Sequence, residues 1–140
     1  MFGDTGQPIA RLSGLCDAFH AQSGVECRLD VQPEHARLEP TVADTLCRAV
    51  RELLALHKHA QASRVVVRSE LREDGSVVFH VTDDSDVADA GDRVASPLER
   101  DGIALWNIDC GLREVGAYLE VRPGHNACAS VVFPGQSLVV

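Results

Sequence analysis

The sequence predicts an α+β fold over residues 1–140, a two-layer α/β sandwich in which helices cover one face of a mixed, mostly antiparallel sheet. Three observations predict it. Apolar residues switch between helical and strand-like spacing in the order α-β-α-β-β-loop-α-β-β. Short turns separate the paired strands, which is typical of antiparallel hairpins. Each helix is apolar along one stripe, and such a stripe needs a sheet to cover it. We therefore expect the whole chain to form a single domain.

The first three predicted elements are two amphipathic helices with a strand between them. Apolar residues at helical spacing predict a helix from Thr5 to Gln22, and Gly24 is its stop signal. Apolar and charged residues alternate from Val25 to Val31, which predicts a half-buried strand. A second apolar stripe predicts a helix from Pro40 to about His59.

A hairpin and a long irregular segment follow. Strands are predicted at Arg64–Leu71 and Ser76–Thr82, around a turn at Glu73–Gly75. Residues 83–101 are irregular and rich in Asp, Ala, Gly and Ser. A loop of this length in a compact domain is usually functional or disordered.

The chain closes with a third helix and two strands. Apolar residues from Leu105 to Val115 predict the helix, which Gly116 stops. Strands are predicted at Tyr118–Val121 and Cys128–Phe133, and Pro134 breaks the last one.

Composition excludes several classes of function. The net charge of -8 argues against nucleic acid as a partner, because a phosphate backbone attracts clusters of Lys and Arg. No run of about 18 apolar residues occurs, so we expect no membrane contact by this domain. The first residues lack the basic and then apolar pattern of a signal peptide, which favours a cytoplasmic location.

The cysteines favour a structural role in a reducing compartment. Their number is odd, their spacings are long and no Cys-x-x-Cys occurs, so neither a zinc site nor a disulfide framework is expected. Each lies in an apolar-patterned segment and is interpreted as a small buried hydrophobic residue. They are Cys16, Cys27, Cys47, Cys110 and Cys128.

Four segments, in order, match the motifs of one family. Residues 102–108 read Gly-Ile-Ala-Leu-Trp-Asn-Ile, beside a family pattern of Gly-x-Gly-Leu-x-Asn-Ile. The helix at 46–63, the segment 81–87 and the segment 116–121 match the other motifs in their expected places. Together they resemble the N box, the G1 box, the G2 box and the following strand of sensor histidine kinases of the GHKL ATPase superfamily, especially the type that partners NarL. The resemblance covers nearly the whole chain and implies the Bergerat fold.

The resemblance also implies ATP and Mg²⁺ as ligands. Glu52 corresponds to the N-box Glu, which helps to orient water or metal and is the candidate catalytic residue. Asp83 corresponds to the Asp whose carboxylate accepts a hydrogen bond from the adenine amino group. The other nucleotide-binding positions of the family correspond to Gly102, Ala104, Asn107, Lys58 and His59.

Several positions depart from the family pattern. Leu56 stands four residues after Glu52, on the helix face where the family has its Mg²⁺-binding Asn. Aligning Lys58 with the family's Lys instead leaves one residue missing before it, and either way no Asn is available, so no metal ligand is assigned. Ala104 replaces the second G2 glycine. The segment 83–101 holds seven acidic residues against two arginines and should repel a triphosphate that lacks Mg²⁺.

Each candidate also has an ordinary structural interpretation. Glu52 could be a solvated helix carboxylate, Asp83 a strand-end residue bonded to local backbone, and Asn107 an exposed polar residue. Trp106 is interpreted as an anchor against the sheet. His57 and His59 are two residues apart on a helix, which favours a surface pair over a metal site.

The favoured hypothesis is a degenerate ATP-binding domain of a two-component histidine kinase, with weak or no ATP turnover and a regulatory or protein-binding role. Its implied partners are a histidine-kinase dimerisation domain or a response regulator. His20 lacks the surrounding motif of a phosphoacceptor, so the chain should not autophosphorylate alone. The alternative is a functional ATP-binding catalytic domain of a histidine kinase, or of an anti-sigma-factor-type kinase, and a third hypothesis is another small ligand in the same cleft.

Overall fold

The computed structural model describes residues 8–32, 37–56, 64–83, 102–122 and 128–134. Its three helices are α1 (Pro8–Ser23), α2 (Pro40–Leu56) and α3 (Gly102–Arg113). Its five strands are β1 (Glu26–Asp30), β2 (Arg64–Leu71), β3 (Val77–Asp83), β4 (Tyr118–Arg122) and β5 (Cys128–Phe133).

The predicted order of helices and strands is confirmed. The bounds of β2 and β5 are as predicted, whereas β3 begins and ends one residue later. Helix α3 begins at Gly102, three residues before the predicted apolar stripe, because a stripe marks the buried face of a helix and not its first turn. The predicted extensions of α1 to Thr5 and of α2 to His59 lie outside the described residues.

The sheet is mixed and mostly antiparallel, as predicted. Its strand order is β1-β2-β3-β5-β4, with β1 and β2 parallel and every other neighbouring pair antiparallel. Helix α2 connects β1 to β2, and parallel neighbours need such a crossover, whereas the hairpin at 72–76 makes β2 and β3 antiparallel. Strand β5 lies between β3 and β4, so the middle of the sheet combines segments distant in sequence.

The hydrophobic core lies between the helices and one face of the sheet. Alternate residues of the central strands point into it because successive strand side chains face opposite sides. Phe79 of β3 and Phe133 of β5 meet there edge to face, with ring centroids 5.9 Å apart. The helices contribute Leu12, Cys16 and Phe19 from α1, Ile108 and Leu112 from α3, and the apolar stripe of α2 that includes Leu46, Val50 and Leu53.

The helix ends are set by local residues. Pro40 starts α2, where its fixed φ suits the first turn and its missing N–H is not needed. After α1, Gly24 takes a φ of 77° and its N–H donates to the carbonyl of His20 at 2.8 Å. After α3, the N–H of Ala117 donates to the carbonyl of Leu112 at 3.0 Å, the long bond of a Schellman end.

In the part of the chain that the structure describes, none of the helices combines the length and the apolar character needed to cross a membrane.

Candidate functional site

Helix α2 carries the candidate catalytic residue on its exposed side. Glu52 is exposed, between the buried neighbours Val50 and Leu53. Leu56, one turn further on, is half-buried and packs against the hydrophobic core. Leu56 thus directs an apolar side chain at the core and offers no oxygen ligand of the kind that Mg²⁺ requires.

The start of α3 holds three of the predicted nucleotide-binding residues. Gly102 is its first residue and is exposed, and a Cβ placed there would meet no atom within 4 Å. Ala104 is half-buried and Asn107 is exposed. Asp83 is the last residue of β3, paired with Val65 of β2, and its side chain lies outside what the structure describes. Helices α2 and α3 pack against each other, which puts Glu52 and the α3 residues in one layer.

The other predicted site positions lie outside the described residues. These are Lys58 and His59, and the acidic segment 84–101 lies outside the described residues as well. The roles that the resemblance implies for them stay predictions.

Two large apolar side chains are exposed on α3. Ile103 is 78% exposed and Trp106 is 66% exposed, and their spacing of three residues puts them on one side of the helix. The interpretation of Trp106 as an anchor against the sheet is wrong, because Ile108 and Leu112 cover the sheet instead. The apolar pair is therefore a surface feature beside Gly102.

A polar cavity occupies the opposite face of the sheet. It has a volume of about 750 Å³ and alternate residues of four strands point toward it. We call it the open-face groove. It is lined by Arg68, Glu70, Arg72, His80, Thr82, Glu120, Val121, Cys128 and Ser130. Sequence reasoning missed this site, although Arg68 and Glu70 are two residues apart in a predicted strand and Arg72 follows that strand directly.

His80 lies at the centre of the open-face groove and both of its ring nitrogens have partners. Nε2 lies 2.7 Å from Oε1 of Glu70, and Nδ1 lies 2.7 Å from Oγ of Ser130. The Sγ atom of Cys128 lies 3.7 Å from Nδ1 and 3.3 Å from Oγ of Ser130. Because a carboxylate only accepts, Nε2 donates to Glu70, and Nδ1 is the acceptor in the neutral imidazole.

These contacts shift the pKa values of both His80 and Glu70. Hydrogen bonding to Cys128 and then to Glu70 raises the pKa of His80, and these effects outweigh the opposing effect of burial. Hydrogen bonding to His80 holds the pKa of Glu70 below its usual value. At the edge of the groove, Arg72 donates to Oε1 of Glu120 at 3.1 Å. The arrangement favours a charged His80 next to a thiol.

The cysteines divide into two groups. Cys16 and Cys47 are buried, as predicted, and burial raises the pKa of the Cys47 thiol. Cys27, Cys110 and Cys128 are only half-buried, and Cys128 belongs to a polar network, so its interpretation as a buried hydrophobic residue is wrong. Strand alternation explains this, because Cys128 points away from the core while Ala129 points into it.

Residues 8–32, 37–56, 64–83, 102–122 and 128–134 contain no group of three or more His, Cys, Asp or Glu side chains that could hold a metal ion.

Comparison with known proteins gives a fold but no close relative. No protein-family model and no curated protein sequence matches the chain. Among solved structures, the histidine kinase domain of the blue-light activated histidine kinase of Erythrobacter litoralis is similar, with a TM-score of 0.65 and 16% identity over 93% of this chain and 62% of that one. A longer structure of the same kinase has a TM-score of 0.69 and 15% identity over 92% of this chain and 42% of that one.

A third similar structure is the histidine kinase AdeS of Acinetobacter baumannii, with a TM-score of 0.68 and 9% identity over 92% of this chain and 65% of that one. The chain thus spans between 42% and 65% of the length of these structures. At this identity the likeness concerns the fold alone. The mixed sheet and the helices that the described residues form are similar in fold to these histidine kinase domains.

Proposed function

We propose that the chain is a degenerate ATP-binding domain of a two-component sensor histidine kinase of the GHKL superfamily, with weak or no ATP turnover. It acts in the cytoplasm as a regulatory, protein-binding module. The fold supports the kinase context, since the chain aligns over nearly its whole length with histidine kinase domains. The observation that carries the proposal is Leu56, which packs against the core one turn after Glu52.

Loss of a metal ligand has a large effect in this setting. A triphosphate carries several negative charges, and the chain has a net charge of -8 with seven acidic residues between positions 83 and 101. A bound divalent cation would offset that repulsion, but Leu56 offers it no oxygen. Gly102 still leaves open space at the exposed start of α3, which favours the alternative of a functional ATP-binding catalytic domain.

The apolar pair of α3 supports a role in binding protein. Ile103 and Trp106 are exposed side by side at the helix end where the family would bind nucleotide. Trp is among the residues that contribute most to protein interfaces because it buries a large apolar area. The proposed partner is the dimerisation domain of a histidine kinase or a response regulator, which are the partners that the resemblance implies.

Calorimetric titration tests the proposal. The chain is titrated with a non-hydrolysable ATP analogue, with and without Mg²⁺, as wild type, Asp83→Asn and Asp30→Asn. Asp30 is a matched control because it is also the last residue of a strand, namely β1 at one edge of the sheet. We expect no heat of binding up to millimolar nucleotide. Micromolar binding that needs Mg²⁺ and is lost only in Asp83→Asn would overturn the proposal in favour of the catalytic domain.

In the second arm of the calorimetry, the dimerisation domain or the response regulator replaces the nucleotide. We expect Trp106→Glu to weaken binding by about tenfold or more, because a charge would enter an apolar contact. Leu71→Glu is the matched control, because Leu71 is also a large exposed apolar residue, at 58%, but lies on strand β2 and not on α3. Equal binding by both variants would exclude α3 as the contact surface.

A further inference from the structure

We propose that Cys128 is a thiol modification site, at which His80 and Glu70 hold a thiolate that attacks a small carboxylate-bearing disulfide in the open-face groove. The site lies on the sheet face opposite the helices, so it does not depend on the function proposed for α2 and α3.

The geometry of the three side chains supports a proton transfer. Glu70 accepts a hydrogen bond from Nε2 of His80, which leaves Nδ1 as an acceptor turned toward Cys128. The thiol proton can therefore pass to Nδ1, and the resulting thiolate remains beside an imidazolium. Glu70 stabilises that imidazolium and fixes its orientation.

Ser130 supports the same thiolate and is not itself the nucleophile. Its hydroxyl lies within hydrogen-bonding distance of both Nδ1 of His80 and Sγ of Cys128. Ser130 is only 5% exposed, whereas Cys128 is half-buried and lines the cavity. A ligand in the groove thus reaches sulfur more readily than the serine oxygen.

The volume and charge of the groove indicate the class of ligand. About 750 Å³ is larger than a peroxide needs and is in the range of pockets that hold small organic molecules. Arg68 and Arg72 line the walls, and guanidinium groups bind carboxylates in a two-pronged geometry. Among the described residues of the groove, Glu70 is paired with His80 and Glu120 with Arg72, which leaves the guanidinium of Arg68 to meet the carboxylate of a ligand.

The reaction is a balanced thiol–disulfide exchange. The Cys128 thiolate attacks one sulfur of the disulfide, a new S–S bond forms to Cys128 and the original S–S bond breaks. The displaced thiolate takes the proton from Nδ1–H of His80 and leaves as a free thiol. Cys128 is oxidised to a mixed disulfide, and the leaving sulfur is reduced.

The test is the rate of reaction of the full chain with dithiobis(nitrobenzoate), a disulfide that carries two carboxylates, with the modified residue located by mass spectrometry. We expect Cys128 to react about tenfold faster than the half-buried Cys110 at neutral pH, because a thiolate is the nucleophile. His80→Gln should remove that advantage and Glu70→Gln should reduce it. Arg68→Gln should slow this reagent but not the uncharged dithiodipyridine.

The wild type alone supplies a second readout that does not depend on a variant's folding. His80 and Ser130 contact the sulfur, and the other charged groups that line the groove with it are Arg68, Glu70, Arg72 and Glu120. A paired thiolate predicts a Cys128 rate that reaches its plateau at a lower pH than that of an ordinary thiol, which keeps gaining rate up to about pH 9. A Cys128 rate that matches Cys110 in size and pH dependence would overturn the proposal, as would modification of other cysteines only.

Discussion

Oδ1 of Asp109 accepts a hydrogen bond from the backbone N–H of Leu119 at 2.9 Å, and this bond joins helix α3 to strand β4. The second carboxylate oxygen accepts from Nε of Arg113 at 2.7 Å, one turn along the helix. Although partial burial opposes it, hydrogen bonding to Arg113 and Leu119 lowers the pKa of Asp109. One carboxylate thus ties the end of the helix layer to the edge strand of the sheet.

We expect Asp109→Ala to lower the free energy of unfolding by about 1–3 kcal/mol at neutral pH, because it removes two hydrogen bonds to a charged group. A carboxylate with a lowered pKa stabilises the fold above its unfolded pKa, and that contribution is lost as the pH falls through the folded value. The cost should therefore shrink below about pH 4. Urea unfolding from pH 7 to pH 3 measures it. Glu114→Ala, an exposed acidic residue just after α3, should cost little, and an equal cost in both variants would contradict the assignment.

The contact between His80 and Glu70 predicts a pH dependence of stability opposite to that of Asp109. A histidine whose pKa is raised by folding contributes stability that is fully present below its unfolded pKa of about 6.5 and is lost as the pH rises through the folded value. As long as the Cys128 thiol keeps its proton, the wild type should therefore lose stability as the pH rises above about 6.5 relative to His80→Gln. Thermal melts across that range measure the difference. Glu73→Gln, in the exposed hairpin, should follow the wild type. Parallel pH profiles for wild type and His80→Gln would mean that His80 takes up no proton from solvent on folding.

Gly14 inside α1 and Gly24 just after it are a matched pair of positions for a test of backbone conformation. Gly24 has a φ of 77°, and a Cβ at either Gly24 or Gly14 would meet no atom within 4 Å. Gly24→Ala should cost about 1 kcal/mol through backbone strain alone, because L-residues disfavour positive φ. Gly14→Ala, inside the helix, should stabilise by up to about 1 kcal/mol. Chemical unfolding of both variants is the measurement. If both substitutions changed stability in the same direction, backbone conformation would not be the cause.

Much of the fold could be predicted because residues close together in the sequence indicate most of the helices, strands and turns. The two strand-like segments on either side of the turn at Glu73–Gly75 were sufficient to predict a hairpin that the structure contains. The same is true of the Gly24 stop signal after α1. The exact start of α3 was less predictable because its first two residues, Gly102 and Ile103, are exposed and lie off the buried apolar stripe.

The surroundings of the candidate site residues could not be predicted from the sequence. Asn107 and Glu52 are exposed, which agrees with either of their interpretations, and Trp106 faces solvent although its type suggested a core anchor. The open-face groove was not predicted at all. Glu70, His80 and Cys128 come from three strands, and up to 58 residues of chain separate them.

The sequence by itself determined the order of helices and strands and the buried apolar stripe of α2. These follow from periodicity and residue chemistry, which act over a few neighbouring residues. Only the tertiary structure decided that β5 lies between β3 and β4. That placement pairs His80 with Ser130 across the sheet and brings Cys128 to the same polar surface. Strand pairing depends on the packing of the whole core, because many registers satisfy the same alternating pattern and burial of the helix-facing residues selects one.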